Sequence, residues 1–231
     1  MTAPSSAPVI TLDGPGGAGK GTLALALAER LGWHVLDSGA LYRAMGLMAE
    51  RAGWSPERSD HRAAAAQAAT ELNVGFVTAS DGVRVYLAGE DITQAIRTAQ
   101  VAESASRWAS VTEMRDALLA CQRAFATRPG LVADGRDMGT VVFPSAQAKF
   151  FITASAKARA RRRLAQLSMP ETTGNIGRLY NEIKARDTRD RERNTAPLVP
   201  AVDAFVLDTT DENPAKSLDR LMVEVARRGL G

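Results

Sequence analysis

Residues 14–22 read GPGGAGKGT, directly after the apolar run APVITLD. Glycine weakens helix and strand alike, so a stretch this rich in it serves neither. Gly14, Gly19 and Lys20 fit the spacing G-x-x-x-x-G-K, with a strand-like run before them and the helix-like run KGTLALALAERLG after them. Such glycines let backbone N–H groups turn inward around phosphate oxygens, and the N-terminus of the following helix adds partial positive charge. Lys20 is then the compact cation that reaches the β- and γ-phosphates of a nucleotide. The general pattern places Ser or Thr directly after the lysine to touch Mg²⁺, but here that place is Gly21 and the hydroxyl follows at Thr22. A metal is therefore expected to be held more by phosphates and water. Asp134, closing the run GLVADG, is the candidate for a water-mediated contact to it, against the alternative of a structural turn aspartate.

Around this loop the chain alternates. PVITLDG, WHVLDSG, LVADG, KFFIT and AFVLDT read as short buried strands. Between them ALYRAMGLMAERAG, SAKARARRRLAQL, NIGRLYNEIKARDTRDRER and PAKSLDRLMVEVARRG read as helices, the last with Pro214 near its start and Gly229 after its end. Strands alternating with helices predict an α/β class with a parallel, doubly wound sheet. Val101, Ala105, Trp108, Val111, Met114, Leu118, Cys121 and Phe125 recur at three- or four-residue steps and predict one long helix that stops near Pro129-Gly130. ELNVGFVT and VRVYLAGEDI flank Ser80-Asp81-Gly82, which predicts an inserted β-hairpin at about residues 71–92. SMPETTGN, residues 168–175, has the composition of a mobile loop.

Composition narrows the classes. The 231 residues are 45% hydrophobic and 24% charged, enough to bury a core without staples. One cysteine, Cys121, allows no intrachain disulfide, and His34 and His61 lack metal-ligand spacing. A formal net charge of +3 is too small to imply nucleic acid by itself, and at 5% the aromatics are too few for a base-stacking platform. No apolar run is long enough to span a bilayer, and MTAPSSAPVI lacks the charged start and apolar core of a signal peptide. The chain is therefore expected in the cytoplasm, with neither nucleic acid nor membrane as partner.

Phosphate loops serve switches, motors and kinases, so other residues must choose among them. DSGALYR follows the second strand and puts Ser38 and Arg43 in its loop and next helix, and DGRDMGT follows the third parallel strand and puts Arg136 and Asp137 there. Ligands of open α/β sheets bind beyond the carboxyl ends of the strands, so Arg43 and Arg136 can share one anion at the same edge as Lys20. Asp137 is either the ion-pair partner of Arg136 or an acceptor for a ligand amino group. In KARDTRDRER, Arg186, Arg189, Asp190 and Arg193 stand at i, i+3, i+4 and i+7, so one helix face carries three guanidiniums and a carboxylate. Phosphoryl transfer needs such charge over the migrating group. The other basic run, KARARRR at 157–163, reads as a solvated surface face.

Taken in order, GPGGAGKGT, LDSGALYR, IRTAQVAESAS, LVADGRDMGTVVFP and RDTRDRERNTAPLVPA resemble the bacterial cytidylate kinases, a nucleoside monophosphate kinase family, over nearly the whole chain. The resemblance implies a single P-loop kinase domain with a core sheet of five parallel strands, a nucleoside-monophosphate-binding insert over 39–110 and a short lid over 165–195. It implies transfer of the γ-phosphoryl group of ATP to CMP or dCMP, with Mg²⁺, by a monomer in pyrimidine nucleotide metabolism. Gly14 and the run Gly16, Gly17, Ala18, Gly19, Lys20, Gly21 and Thr22 would hold the ATP phosphates. Ser38, Arg115 and Asp137 would read the cytosine, joined by Arg193 from the lid. Arg43 and Arg136 would hold the CMP phosphate, and Ser106, Arg186 and Asp190 would face the ribose. Lys20, Arg136, Arg186 and Arg193 would carry the charge of the transferred group. Two rivals remain at this point: a kinase for AMP, UMP or shikimate, which the loop alone does not exclude, and a nucleotide-dependent switch or RNA-binding ATPase.

Overall fold

Every residue of Val9–Asp13 is buried, and this strand, β1, lies at the centre of a five-stranded sheet. The computed structural model describes residues 7–79 and 82–230. In chain order the elements are β1 (Val9–Asp13), α1 (Lys20–Leu31), β2 (His34–Asp37), α2 (Ser38–Ala52), α3 (Ser59–Thr70), β3 (Val74–Ala79), β4 (Gly82–Leu87), β5 (Glu90–Asp91), α4 (Ala99–Trp108), α5 (Thr112–Ala124), β6 (Leu131–Asp134), β7 (Ala148–Thr153), α6 (Ala156–Gln166), α7 (Thr173–Glu192), β8 (Phe205–Asp208) and α8 (Pro214–Arg227). They cluster into two bodies, one of residues up to Val35 and from Thr127 onward, the other Leu36–Ala126.

The first body holds the large sheet, in strand order β2-β6-β1-β7-β8. β1 runs parallel to both β6 and β7, and β7 parallel to β8, as the alternation in the sequence predicts. Ile10, Leu12, Phe150 and Ile152 from the strands pack with Leu23 and Leu27 of α1 and Leu221 and Val225 of α8. Each such side chain contributes about 1.5–3 kcal/mol when taken from water. α1 starts after Gly19, at φ 94°, and stops at Gly32, whose left-handed N–H returns to the carbonyls of Ala28 and Glu29. Asn213 caps α8 by accepting from Lys216 N, with Pro214 in the first turn.

Gly14 joins β1 to the loop at φ +144°, and a Cβ there would stand 1.9 Å from the carbonyl oxygen of Ile152 in β7. Backbone cannot swing aside as a side chain would. Gly14→Ala is therefore expected to cost more than about 4 kcal/mol, enough to prevent folding. Gly32→Ala, also at positive φ but with nothing within 4 Å, should cost only about 1–2 kcal/mol. Thermal unfolding of the two variants checks the contrast, and equal stabilities would contradict it.

In the second body α2 packs along α4, and their approach needs Gly46: a Cβ there would come 2.9 Å from Ala105 N. The predicted single helix after residue 100 is two helices, α4 and α5. Ser110 Oγ donates to Arg107 O at 2.7 Å and Val111 N to Trp108 O, which closes a turn between them. Trp108, Val111 and Met114 are buried on both sides of the break, so the apolar rhythm runs through it unaltered. The predicted hairpin is the antiparallel pair β3–β4, and its turn residues Ser80 and Asp81 lie outside the described residues. VRVYLAGEDI does not stay one strand. Ala88 (φ 48°) and Gly89 (φ 88°) turn the chain back, and β5 adds a third strand beside β4. Positive φ at both central residues is what a two-residue hairpin turn requires. α3 was not anticipated, since SDHRAAAAQAAT carries no periodic apolar face and buries only Ala65 and Ala69. In the first body, α7 begins at Thr173 with Thr172 as its cap, so the loop expected over 168–175 is shorter. Among the described residues no helix is long and apolar enough to cross a membrane.

Candidate active site

The glycine loop connects the carboxyl end of β1 to α1. Gly17 (φ 79°) and Gly19 (φ 94°) take the conformations that free the backbone for anions. Lys20 is buried, donates from Nζ to Pro15 O at 3.1 Å, and lies 3.6 Å from Asp134 Oδ1 at the end of β6. A Cβ on Gly21 would stand 3.5 Å from Asp134 Oδ2. A side chain at the place where the general pattern has its hydroxyl would thus border this carboxylate. Among the described residues no group of three or more His, Cys, Asp or Glu is arranged to hold a metal. The donor set therefore fits a hard cation only if substrate phosphates and water complete its shell.

Two further guanidiniums converge on the same loop. A Cβ on Gly16 would lie 3.3 Å from Arg136 Nη2 and 3.9 Å from Arg186 Nη1. Arg136, from the turn after β6, donates through Nε to Asp190 Oδ2 of α7 at 3.1 Å. Asp137 is not its partner. Asp137 is 3% exposed, and its Oδ1 lies 3.9 Å from Arg193 Nη2. The turn after β6 and the end of α7 are thus joined twice, by crossed arginine–aspartate pairs. The expected helical stripe is also altered at its end. α7 stops at Glu192, Arg193 is extended at φ −61°, ψ 137°, and Arg189 faces solvent.

The run KARARRR is not a solvated face throughout. Arg159 is 3% exposed and every nitrogen of its guanidinium is used. Nε donates to Ala154 O, Nη1 to Gly16 O at 3.2 Å and to Asp187 Oδ1 at 2.9 Å, and Nη2 to Asp187 Oδ2 at 2.5 Å. One side chain of α6 thereby ties the phosphate loop to α7. Arg162 donates to the carbonyls of Ala18 and Thr209. A basic run shows no period that marks one of its members as buried, and the acceptor of Arg159 lies 28 residues away.

The second body gathers the remaining expected residues. Ser38 opens α2 rather than sitting in a loop, with Asp37 as the cap accepting from Ala40 N. Ser38 Oγ donates to Gln122 Oε1 of α5 at 3.0 Å. Arg43 donates to Ile96 O at 2.7 Å. Arg115 is 7% exposed, donates to Ala109 O at the end of α4, and lies 5.9 Å from the centre of the Tyr42 ring. Ser106 Oγ is buried without a hydrogen-bond partner. Gln122 was not singled out in the sequence, because a polar residue within an amphipathic helix carries no mark of burial. The two histidines have structural partners: His34 Nε2 meets Arg128 O, and His61 Nδ1 accepts from Ser55 N.

A glycine loop between a strand and a helix, a buried lysine and two arginines beside Gly16 form a cationic cluster with the chemistry that phosphoryl groups require. The protein-family comparison agrees: the family model described as cytidylate kinase matches residues 10–227. A cytidylate kinase from Marinomonas sp. (strain MWYL1) is 51% identical over 224 residues, covering 96% of this chain and 97% of that protein. One from Photobacterium profundum is 53% identical over 205 residues, 89% of each chain. Among solved structures, an uncharacterized protein from Eubacterium ventriosum ATCC 27560 shares the fold with a TM-score of 0.51 and 13% identity, covering 95% of this chain and 98% of its own.

Proposed function

This chain belongs to the cytidylate kinase family, and from that premise we propose that it transfers the γ-phosphoryl group of ATP, with Mg²⁺, to CMP or dCMP. The family match across residues 10–227 is the observation that carries this reading. The loop from Gly14 to Thr22 holds the donor phosphates, with Lys20 on the migrating group. Arg43 and Arg136 hold the acceptor phosphate, and Arg186 and Arg193 add charge around the transferred group. Ser106, Arg186 and Asp190 face the ribose, and the unpartnered Ser106 Oγ is suited to a sugar hydroxyl. Mg²⁺ would supply positive charge against that of the donor phosphates. Asp134, through water, is the residue that would help hold it.

The protein performs little covalent chemistry here. Positioning and charge neutralisation carry the rate, and no general base is needed because the acceptor is already an anionic phosphate oxygen. Base choice follows from hydrogen-bond polarity. Cytosine shows an amino donor beside the acceptors N3 and O2. Asp137 accepts from the amino group, and Arg115 donates to N3 or O2, with Ser38 and Arg193 completing the set. Uracil would turn an acceptor toward the carboxylate and leave a buried group unpaired, which sites of this kind reject strongly. The enzyme acts as a cytoplasmic monomer in pyrimidine nucleotide metabolism.

An ADP-release assay across CMP, dCMP, UMP, AMP and GMP tests the assignment, and faster turnover of AMP than of CMP would end it. In the same assay Asp137→Asn is expected to lose more activity toward CMP than toward UMP. Equal losses would remove Asp137 from base recognition.

A further inference from the structure

Asp13 ends β1 and immediately precedes the phosphate loop, yet it has no part in the substrate contacts above. It is 3% exposed, and both its carboxylate oxygens are engaged. Oδ1 accepts from Met138 N at 2.7 Å and Oδ2 from Gly139 N at 2.8 Å. These two amides open the π-helical turn Met138–Val142, directly after Arg136 and Asp137. The seat is tight: a Cβ on Gly139 would lie 2.8 Å from Thr11 Oγ1 and 3.3 Å from Asp13 Oδ2. One residue therefore both ends the strand that launches the phosphate loop and grips the turn that presents Arg136 and Asp137.

We propose that Asp13 is a positioning residue for the acceptor nucleotide, holding the Arg136–Asp137 turn in register with the phosphate loop through its two backbone hydrogen bonds. This rests on the reading that Arg136 and Asp137 bind CMP. The surroundings of Asp13 are costly for a charge. Burial pushes its carboxyl from 3.8 up to about 6; the N–H groups of Gly139 and Met138 and the charge of Lys20 oppose that rise, and the carboxylate of Asp137 adds to it. Lys149 of β7 also borders Gly139, but its ammonium is taken by Asp203 at 3.0 Å. Between those two values the folded protein binds a proton that the unfolded chain does not, so this group's contribution to stability falls as pH rises through that window. At neutral pH the fold thus carries an ionised Asp13 at a loss.

Asp13→Asn keeps the size but sets one amide donor against one of the two N–H groups. The expected result is a fall in kcat/KM for CMP of roughly 10- to 100-fold, a KM for ATP changed by less than about threefold, and a lower ratio of CMP to UMP turnover. Unchanged CMP kinetics, or an equal loss toward ATP and CMP, would overturn the proposal. Should the variant fail to fold, the wild-type protein still decides. The Met138 and Gly139 amides should be protected from hydrogen exchange in the folded wild-type protein, as donors to a buried carboxylate are, and exchange of both at the rate of exposed amides would overturn the proposal. That measurement does not depend on the substrate, so a wild-type enzyme inert toward CMP would sink the functional reading separately.

Discussion

Lys20→Ala is expected to lower kcat by roughly 10²- to 10⁴-fold, the range seen when a preorganised donor to the transition state is removed. The argument starts from place rather than from charge alone. Lys20 opens α1 at the positive end of the helix, is 5% exposed, and is oriented by Pro15 O and Asp134. A cation so fixed need not reorganise as negative charge builds on the migrating phosphoryl group. Ground-state binding of ATP also draws on the loop amides, so KM should rise less than kcat falls. Steady-state kinetics at saturating CMP makes the measurement, and a loss confined to KM would contradict the role. Removing Lys20 also leaves Asp134 without its neighbouring cation, so the melting temperature of the variant must be recorded beside its kinetics.

Asp187→Ala is expected to lower stability by about 3–5 kcal/mol, the cost of leaving one member of a buried ion pair uncompensated. Its partner Arg159 is 3% exposed, so the abandoned guanidinium would stay largely shielded from solvent. For a chain of this length that loss lowers the melting temperature by roughly 6–20 °C. The double replacement Arg159→Met with Asp187→Leu should be milder than either single change, because no charge is then stranded. Activity should not follow stability in the double variant. Arg159 Nη1 also donates to Gly16 O, and its loss unties α7 from the phosphate loop. A stable double variant with wild-type kcat would show the pair to be structural only.

The strands of the large sheet were legible because each is a short apolar run bounded by glycine or a turn, and β1, β2, β6, β7 and β8 lie where those runs are. The second body was harder to read. Its helices are rich in alanine, and its α4–α5 turn needs neither glycine nor proline, so composition marks no boundary there. At the site, the glycines, Lys20 and the arginines of α7 stood out by residue type and spacing. The partnerships did not: Arg136 takes Asp190 rather than the adjacent Asp137, and Arg159 takes Asp187.

The sequence by itself determined the chemistry of this protein. Backbone freedom beside a lysine, hydrophobic runs of strand length and the order of the motifs are local properties that no packing can reverse. Only the tertiary structure decided which charges are buried, which carboxylate serves which arginine, and that Asp13 grips the turn of Met138 and Gly139. Those outcomes depend on residues as far as 126 positions apart meeting where water is excluded, and there a charge keeps whichever partner geometry brings within hydrogen-bond reach.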